Sequence, residues 1–222
     1  MPLNASTLWN GSMLAFLAHT IFTCRAPELA YEQSWDSENY SIQDSQGTKG
    51  TIVFSNNRYV AVFLDIHSSQ APWHSDVSYD IQRFFYGLPE ALNPFAEEAL
   101  QYVLEDYQGN TIPVITAAFW SDGENEDIGA AAPWDEIIKH GAFLIETQMM
   151  VQEDAITILK ANYELSSDEM EFMNALYERL ICRPKANVRL DEKERSFLRS
   201  IAVSKKGLVE CKKLLAQIGI II

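Results

Sequence analysis

The chain has 222 residues, 47% of them hydrophobic and 11% aromatic, with a net charge of −14 at pH 7. That apolar share supports a packed core and excludes an intrinsically disordered chain. The charge is uneven: residues 1–171 carry 26 Asp+Glu against 6 Lys+Arg, and residues 172–222 carry 5 against 11, so a strongly acidic body that repels nucleic acid precedes a short basic tail.

The first element is an apolar run, Met13 to Phe22. No Lys or Arg precedes it, as a secretory signal would require, and it is far shorter than the roughly 20 apolar residues of a membrane span. A buried helix is expected, capped by Ser12, with Leu14, Leu17, Ala18 and Ile21 on one face. A polar stretch, Glu32 to Gly50, then holds a short strand around Tyr40 and Ile42. Thr51 to Ser55 and Arg58 to Ile66 read as a hairpin turning at Asn56-Asn57, because Asn tolerates the positive φ that tight hairpins need. The second of these strands is apolar on both faces and is expected at the centre of a covered sheet.

Asp80 to Tyr86 reads as a short helix ending at Gly87. Asn93-Pro94 opens a helix whose apolar positions Ala96, Ala99, Leu100, Val103, Leu104 and Tyr107 predict that it runs to Gly109. Ile112 to Trp120 follows as one strand. A short helix from Trp134 ends at Gly141, Phe143 to Thr147 fits a strand, and Val151 to Tyr163 fits a helix. Ser166 with Glu169 and Asp191 with Glu194 are capping boxes for two more helices, and Ser204 caps a last one ending at Gly219. The fold class is therefore α+β: an acidic domain over residues 1–150, with a mixed or antiparallel sheet and packed helices, followed by an all-helical, basic-tailed region over residues 151–222. The terminal Ile220-Ile221-Ile222 is expected to dock.

Cys24, Cys182 and Cys211 form no Cys-x-x-Cys pair, which excludes a disulfide framework or zinc ribbon and fits a reducing cytoplasm. No Gly-x-Ser-x-Gly is present. Gly47-Thr48-Lys49-Gly50-Thr51 has the residue types of a phosphate loop in the wrong order and leads into a strand. No catalytic residue is assigned, no cofactor is expected, and the sequence leans away from an enzyme.

Three candidate sites remain. Asp65, His67, His74 and Asp76 bring two imidazoles and two carboxylates into twelve residues, the mixed N/O set that Zn²⁺ or Fe²⁺ accepts, against the plainer reading of solvated loop residues. The loop Asp122-Gly123-Glu124-Asn125-Glu126-Asp127 fails the EF-hand pattern, with Asp at its sixth position and Pro133 at its twelfth. Its acids Asp122, Glu124, Glu126 and Asp127, with Trp120 or Trp134 as aromatic anchors, suit a basic protein partner. Residues Asp191 to Gln217 have a helix-turn-helix layout in which Ile201, Val203 and Leu208 are core positions and Lys205, Lys206, Lys212 and Lys213 face phosphates. Leu198 and Ala202 depart from that motif, Gly207 weakens its second helix, and the acidic body opposes DNA approach. A helical hairpin whose basic face meets the acidic body, in the same chain or in a homodimer mate, is the competing account.

The leading functional expectation is a non-enzymatic acidic protein holding a basic partner, without membrane or nucleic-acid involvement. A metal-binding protein or metal-dependent enzyme and a DNA-binding regulator are the alternatives. The composition is similar to that of small acidic cytoplasmic immunity proteins of bacterial toxin systems and of nuclease inhibitors, and no motif carries the likeness.

Overall fold

The computed structural model describes residues 3–74, 78–123, 128–182 and 187–222. Helix α1 spans Ala5–Phe22. It is capped by Asn4, whose side chain accepts the Thr7 N–H at 2.9 Å. Ser12, the expected cap, instead lies buried within the helix. Strands β1 (Gln33–Asp36), β2 (Asn39–Gln43), β3 (Thr48–Ser55) and β4 (Arg58–Asp65) follow. The β3–β4 hairpin turns where predicted, with Asn56 at φ +55°. Asp80 caps a tight helical turn over Ile81–Phe85.

Helix α2 covers only Asn93–Leu100, shorter than its periodicity predicts. The chain re-enters as β5 (Leu104–Tyr107) and β6 (Asn110–Pro113), paired antiparallel. The turn between them places Gln108 at φ +50° and Gly109 at φ +80°. Two consecutive positive φ values are those of a type I′ hairpin turn, so Gly109 reverses a hairpin rather than ending a helix. The expected strand Ile112 to Trp120 is likewise divided: β6 ends at Pro113, and β7 (Ala117–Ser121) belongs to the main sheet. Then come β8 (Gly129–Ala130) and α3 (Trp134–Lys139). Residues 143–147, expected as a strand, form tight helical turns instead. Helices α4 (Gln152–Asn162) and α5 (Ser167–Cys182), strand β9 (Val188–Arg189), helices α6 (Glu192–Ile201) and α7 (Lys205–Gln217), and strand β10 (Ile220–Ile221) complete the chain. The class is α+β.

The chain divides into two compact units. The first comprises Met1–Trp9 and Glu38–Glu146. Its sheet runs antiparallel in the order β2-β3-β4-β7-β8. β4 is central and apolar on both faces, because both are covered. Val60 and Val62 pack with Ala118, Trp120, Leu92, Ala96 and Ala99 on the α2 side. On the other face Phe63 stacks on Phe119 with ring centroids 6.0 Å apart, and Phe119 meets Trp134 edge-on at 5.1 Å. The Tyr59 hydroxyl donates to the Leu3 carbonyl at 2.9 Å.

The second unit comprises Asn10–Ser37 and Thr147–Ile222. Residues 12–21 of α1 are all buried, as expected of a core helix with no polar face. Both capping boxes form: Ser166 and Glu169 exchange bonds of 2.8 and 3.2 Å at α5, and Asp191 and Glu194 bonds of 2.8 and 2.9 Å at α6. Ser204 accepts the Gly207 N–H at 3.0 Å. Gly207 itself lies against the turn that follows α1: a Cβ there would come within 2.2 Å of the Cys24 carbonyl oxygen. That glycine is a close-packing position rather than a weakness of α7. Ile220 is buried and pairs parallel with Val188. Among the described residues no helix is long and apolar enough to cross a membrane.

Candidate functional site

A cleft of about 220 Å³ opens in the α+β unit. One wall comes from Gln70 and from Arg83 and Phe84 of the Ile81–Phe85 turn. Thr116, just before β7, and Ala118 on it line the cleft too, and Ala131, Ala132, Glu136, Ile137 and His140 line the side formed around α3. Helix α3 builds that side because residues four apart share a helix face. Glu136 and His140 are such a pair, with Nε2 of His140 2.9 Å from Oε2 of Glu136.

His140 is 5% exposed, and each of its polar groups is held. Its Nδ1 lies 2.7 Å from Oγ of Ser68. Its carbonyl accepts the Thr116 hydroxyl at 2.6 Å, and the same hydroxyl oxygen accepts the Asp65 N–H at 2.8 Å. Ser68 is fixed by the turn after β4, where its N–H reaches the Asp65 carbonyl at 3.1 Å and its Oγ accepts the Gln70 N–H at 3.0 Å. One tautomer satisfies every atom: Ser68 O–H donates to Nδ1, and Nε2–H donates to Glu136.

Serine, histidine and carboxylate in a chain suggest acyl transfer, but the order of exposure is inverted. A nucleophile must face the substrate. Here Ser68 is 4% exposed and does not line the cleft, whereas the Glu136 side chain is 42% exposed and does. The chain therefore runs from the interior outward: Ser68 orients His140, and His140 orients a carboxylate at the cleft wall. Lys139 flanks the same carboxylate oxygen at 3.5 Å. In the Ile81–Phe85 turn, Arg83 lies over the Phe84 ring at 4.7 Å and donates from Nη2 to the Gln70 carbonyl at 3.2 Å and to its Oε1 at 2.8 Å. Nearby Tyr79 exchanges bonds with the Ile115 N–H and carbonyl at 2.7 and 2.9 Å, and burial pushes its pKa up to about 12.

None of the residues singled out from sequence lines the cleft. Asp65 binds the His67 N–H at 2.9 Å, while the His67 and His74 rings contact the Gln46 and Ile66 carbonyls at 3.1 and 3.0 Å. Asp76 lies outside the described residues, among which no group of three or more His, Cys, Asp or Glu converges to hold a metal ion. In the acidic loop, Glu124, Glu126 and Asp127 also lie outside the described residues. Asp122 is half-buried beside Gly123, whose carbonyl accepts from Asn57 at 2.9 Å. Trp120 is a correction: at 4% exposure it belongs to the core behind α2 and cannot serve as a surface anchor. Trp134, at 39%, is accessible. In α7, Lys205, Lys206 and Lys213 are exposed and Lys212 is half-buried, and Lys213 pairs with Glu210 at 2.9 Å. Val203, a core position of the helix-turn-helix reading, is 69% exposed.

Ser68, Arg83, Glu136 and His140 stand in no motif that the sequence displays. The Glu136–His140 spacing on α3 was the one available signal, because bringing Ser68 and Arg83 to it depends on long-range pairing of β4 with β7. No family model, curated protein or solved structure matches this chain.

Proposed function

We propose that this chain is a non-enzymatic binding protein whose α+β unit holds a cationic protein partner. The observation that supports the reading is the division of charge between the two units. Met1–Trp9 with Glu38–Glu146 carries 17 Asp+Glu against 4 Lys+Arg, a net −13, while the helical unit carries 14 against 13, a net −1. A field concentrated on one unit steers an oppositely charged partner and gives fast, salt-sensitive association. Accessible Trp134, next to Asp135 and Glu136, supplies the aromatic anchor that such interfaces favour. The inverted exposure of Ser68 and Glu136 speaks against acyl transfer as the purpose of the cleft.

The test is a tagged pull-down from the native host at low salt, run in parallel with a variant carrying Asp122→Asn, Glu124→Gln, Glu126→Gln and Asp127→Asn. The expected result is one stoichiometric basic protein that elutes as salt rises and is retained at least tenfold less by the variant. Equal retention by both proteins, or the absence of a basic protein from the eluate, overturns the reading.

A further inference from the structure

We propose that the cleft of the α+β unit is a receptor for a small zwitterionic amino-carboxylate, an apolar α-amino acid of about leucine's size. Arg83 would take the carboxylate and Glu136 the ammonium. The inference rests on opposite charges lining one small apolar cavity with unused bonding capacity. Arg83 spends two donor bonds from Nη2 on Gln70, which fixes the guanidinium over Phe84. Arg83 is exposed, and among the described residues its Nε–H and Nη1 donors make no bond and no carboxylate pairs with it, in a unit where acids outnumber bases 17 to 4. A planar donor fork left without a carboxylate is suited to bidentate capture of one.

Glu136 is the complement. Its Oε2 takes both His140 and Lys139, while Oε1 makes no bond among the described residues. Its position is inherited from the buried Ser68–His140 pair, so the carboxylate is oriented before a ligand arrives. Between these groups the walls are Phe84, Ala118 and Ile137, which suit an aliphatic side chain. The volume of about 220 Å³ equals roughly seven waters of liquid, enough for a ligand of about ten non-hydrogen atoms. A lone cation would be repelled by Arg83 and a lone anion by Glu136. Only a ligand carrying both charges satisfies both walls.

Isothermal titration of the full chain at pH 7 tests this, with L-leucine, 3-methylbutylamine (the same skeleton without the carboxylate) and 4-methylpentanoate (without the ammonium) as probes. L-Leucine is expected to bind at least tenfold more tightly than either analogue. Arg83→Gln should weaken leucine at least tenfold and tighten the amine, which then no longer meets a like charge. Glu136→Gln should weaken leucine similarly and tighten the acid, and circular dichroism melts of both variants should match the parent. No heat with leucine at 10 mM, equal affinity for all three probes, or unaltered leucine binding by both variants overturns the proposal. No protein partner enters the measurement, so its failure is distinct from failure of the pull-down.

Discussion

His19 shows how burial alone sets a residue's chemistry. It sits in the fully buried stretch of α1, edge-on to the Tyr163 ring at 5.9 Å. Among the described residues neither ring nitrogen has a hydrogen-bond partner, and the Leu29 backbone favours the charged form only weakly. Loss of solvation therefore dominates and lowers the pKa from 6.5 to about 4. The unfolded chain binds this proton near pH 6.5 and the folded chain only near 4, so stability is complete above 6.5 and falls as pH drops toward 4. The expected loss at pH 5 is roughly 2 kcal/mol relative to pH 7. Urea unfolding of the parent and of His19→Leu at both pH values checks it. The parent should lose that much more than the variant, and parallel losses would mean that the imidazole is solvated.

At the scale of elements, the Leu104–Pro113 hairpin has its own test. Gln108 occupies a left-handed position that costs most L-residues about 1 kcal/mol and Asn less. Gln108→Asn should therefore stabilise the chain by roughly 0.5 kcal/mol. Were residues 94–108 one helix, the same change would cost a few tenths, since Asn is the poorer helix former. The sign of the shift in denaturation midpoint decides between them. Much of the fold is legible in the sequence itself. Elements written by local chemistry came through: the Asn56-Asn57 hairpin, both capping boxes, Ser204, and β4 as a covered central strand. The helix from Asn93 was overextended because Val103, Leu104 and Tyr107 continue its apolar period, whereas antiparallel pairing with Asn110–Pro113 claims Leu104 and Tyr107. Tertiary pairing outweighs a period of 3.6 that carries no helix-specific chemistry. The cleft was invisible for the same reason, since Ser68 and His140 are 72 residues apart and meet only through the sheet.

At the scale of the whole molecule the charge division has an energetic consequence. The cations of the α+β unit neutralise little: Lys49 pairs with Glu105 at 2.6 Å and Lys139 with Glu136 at 3.5 Å, while Arg58 and Arg83 lie over the Phe95 and Phe84 rings. Most of the −13 therefore acts as self-repulsion, which opposes the compact state and is screened as the Debye length shrinks from about 30 Å at 0.01 M salt to about 10 Å at 0.1 M. The helical unit, with its charges nearly balanced and many in short-range pairs such as Arg195–Glu192 and Arg179–Glu194, lacks that term and its local pairs weaken on screening. Two opposed salt effects are thus built into one chain, and the larger is the net repulsion. Raising NaCl from 10 to 300 mM should increase the Tm by several degrees, with most of the gain below 150 mM, and substituting KCl should change nothing. A flat or falling Tm would mean that the carboxylates of the α+β unit are paired more fully than their neighbours indicate, and it would remove the field on which partner steering depends.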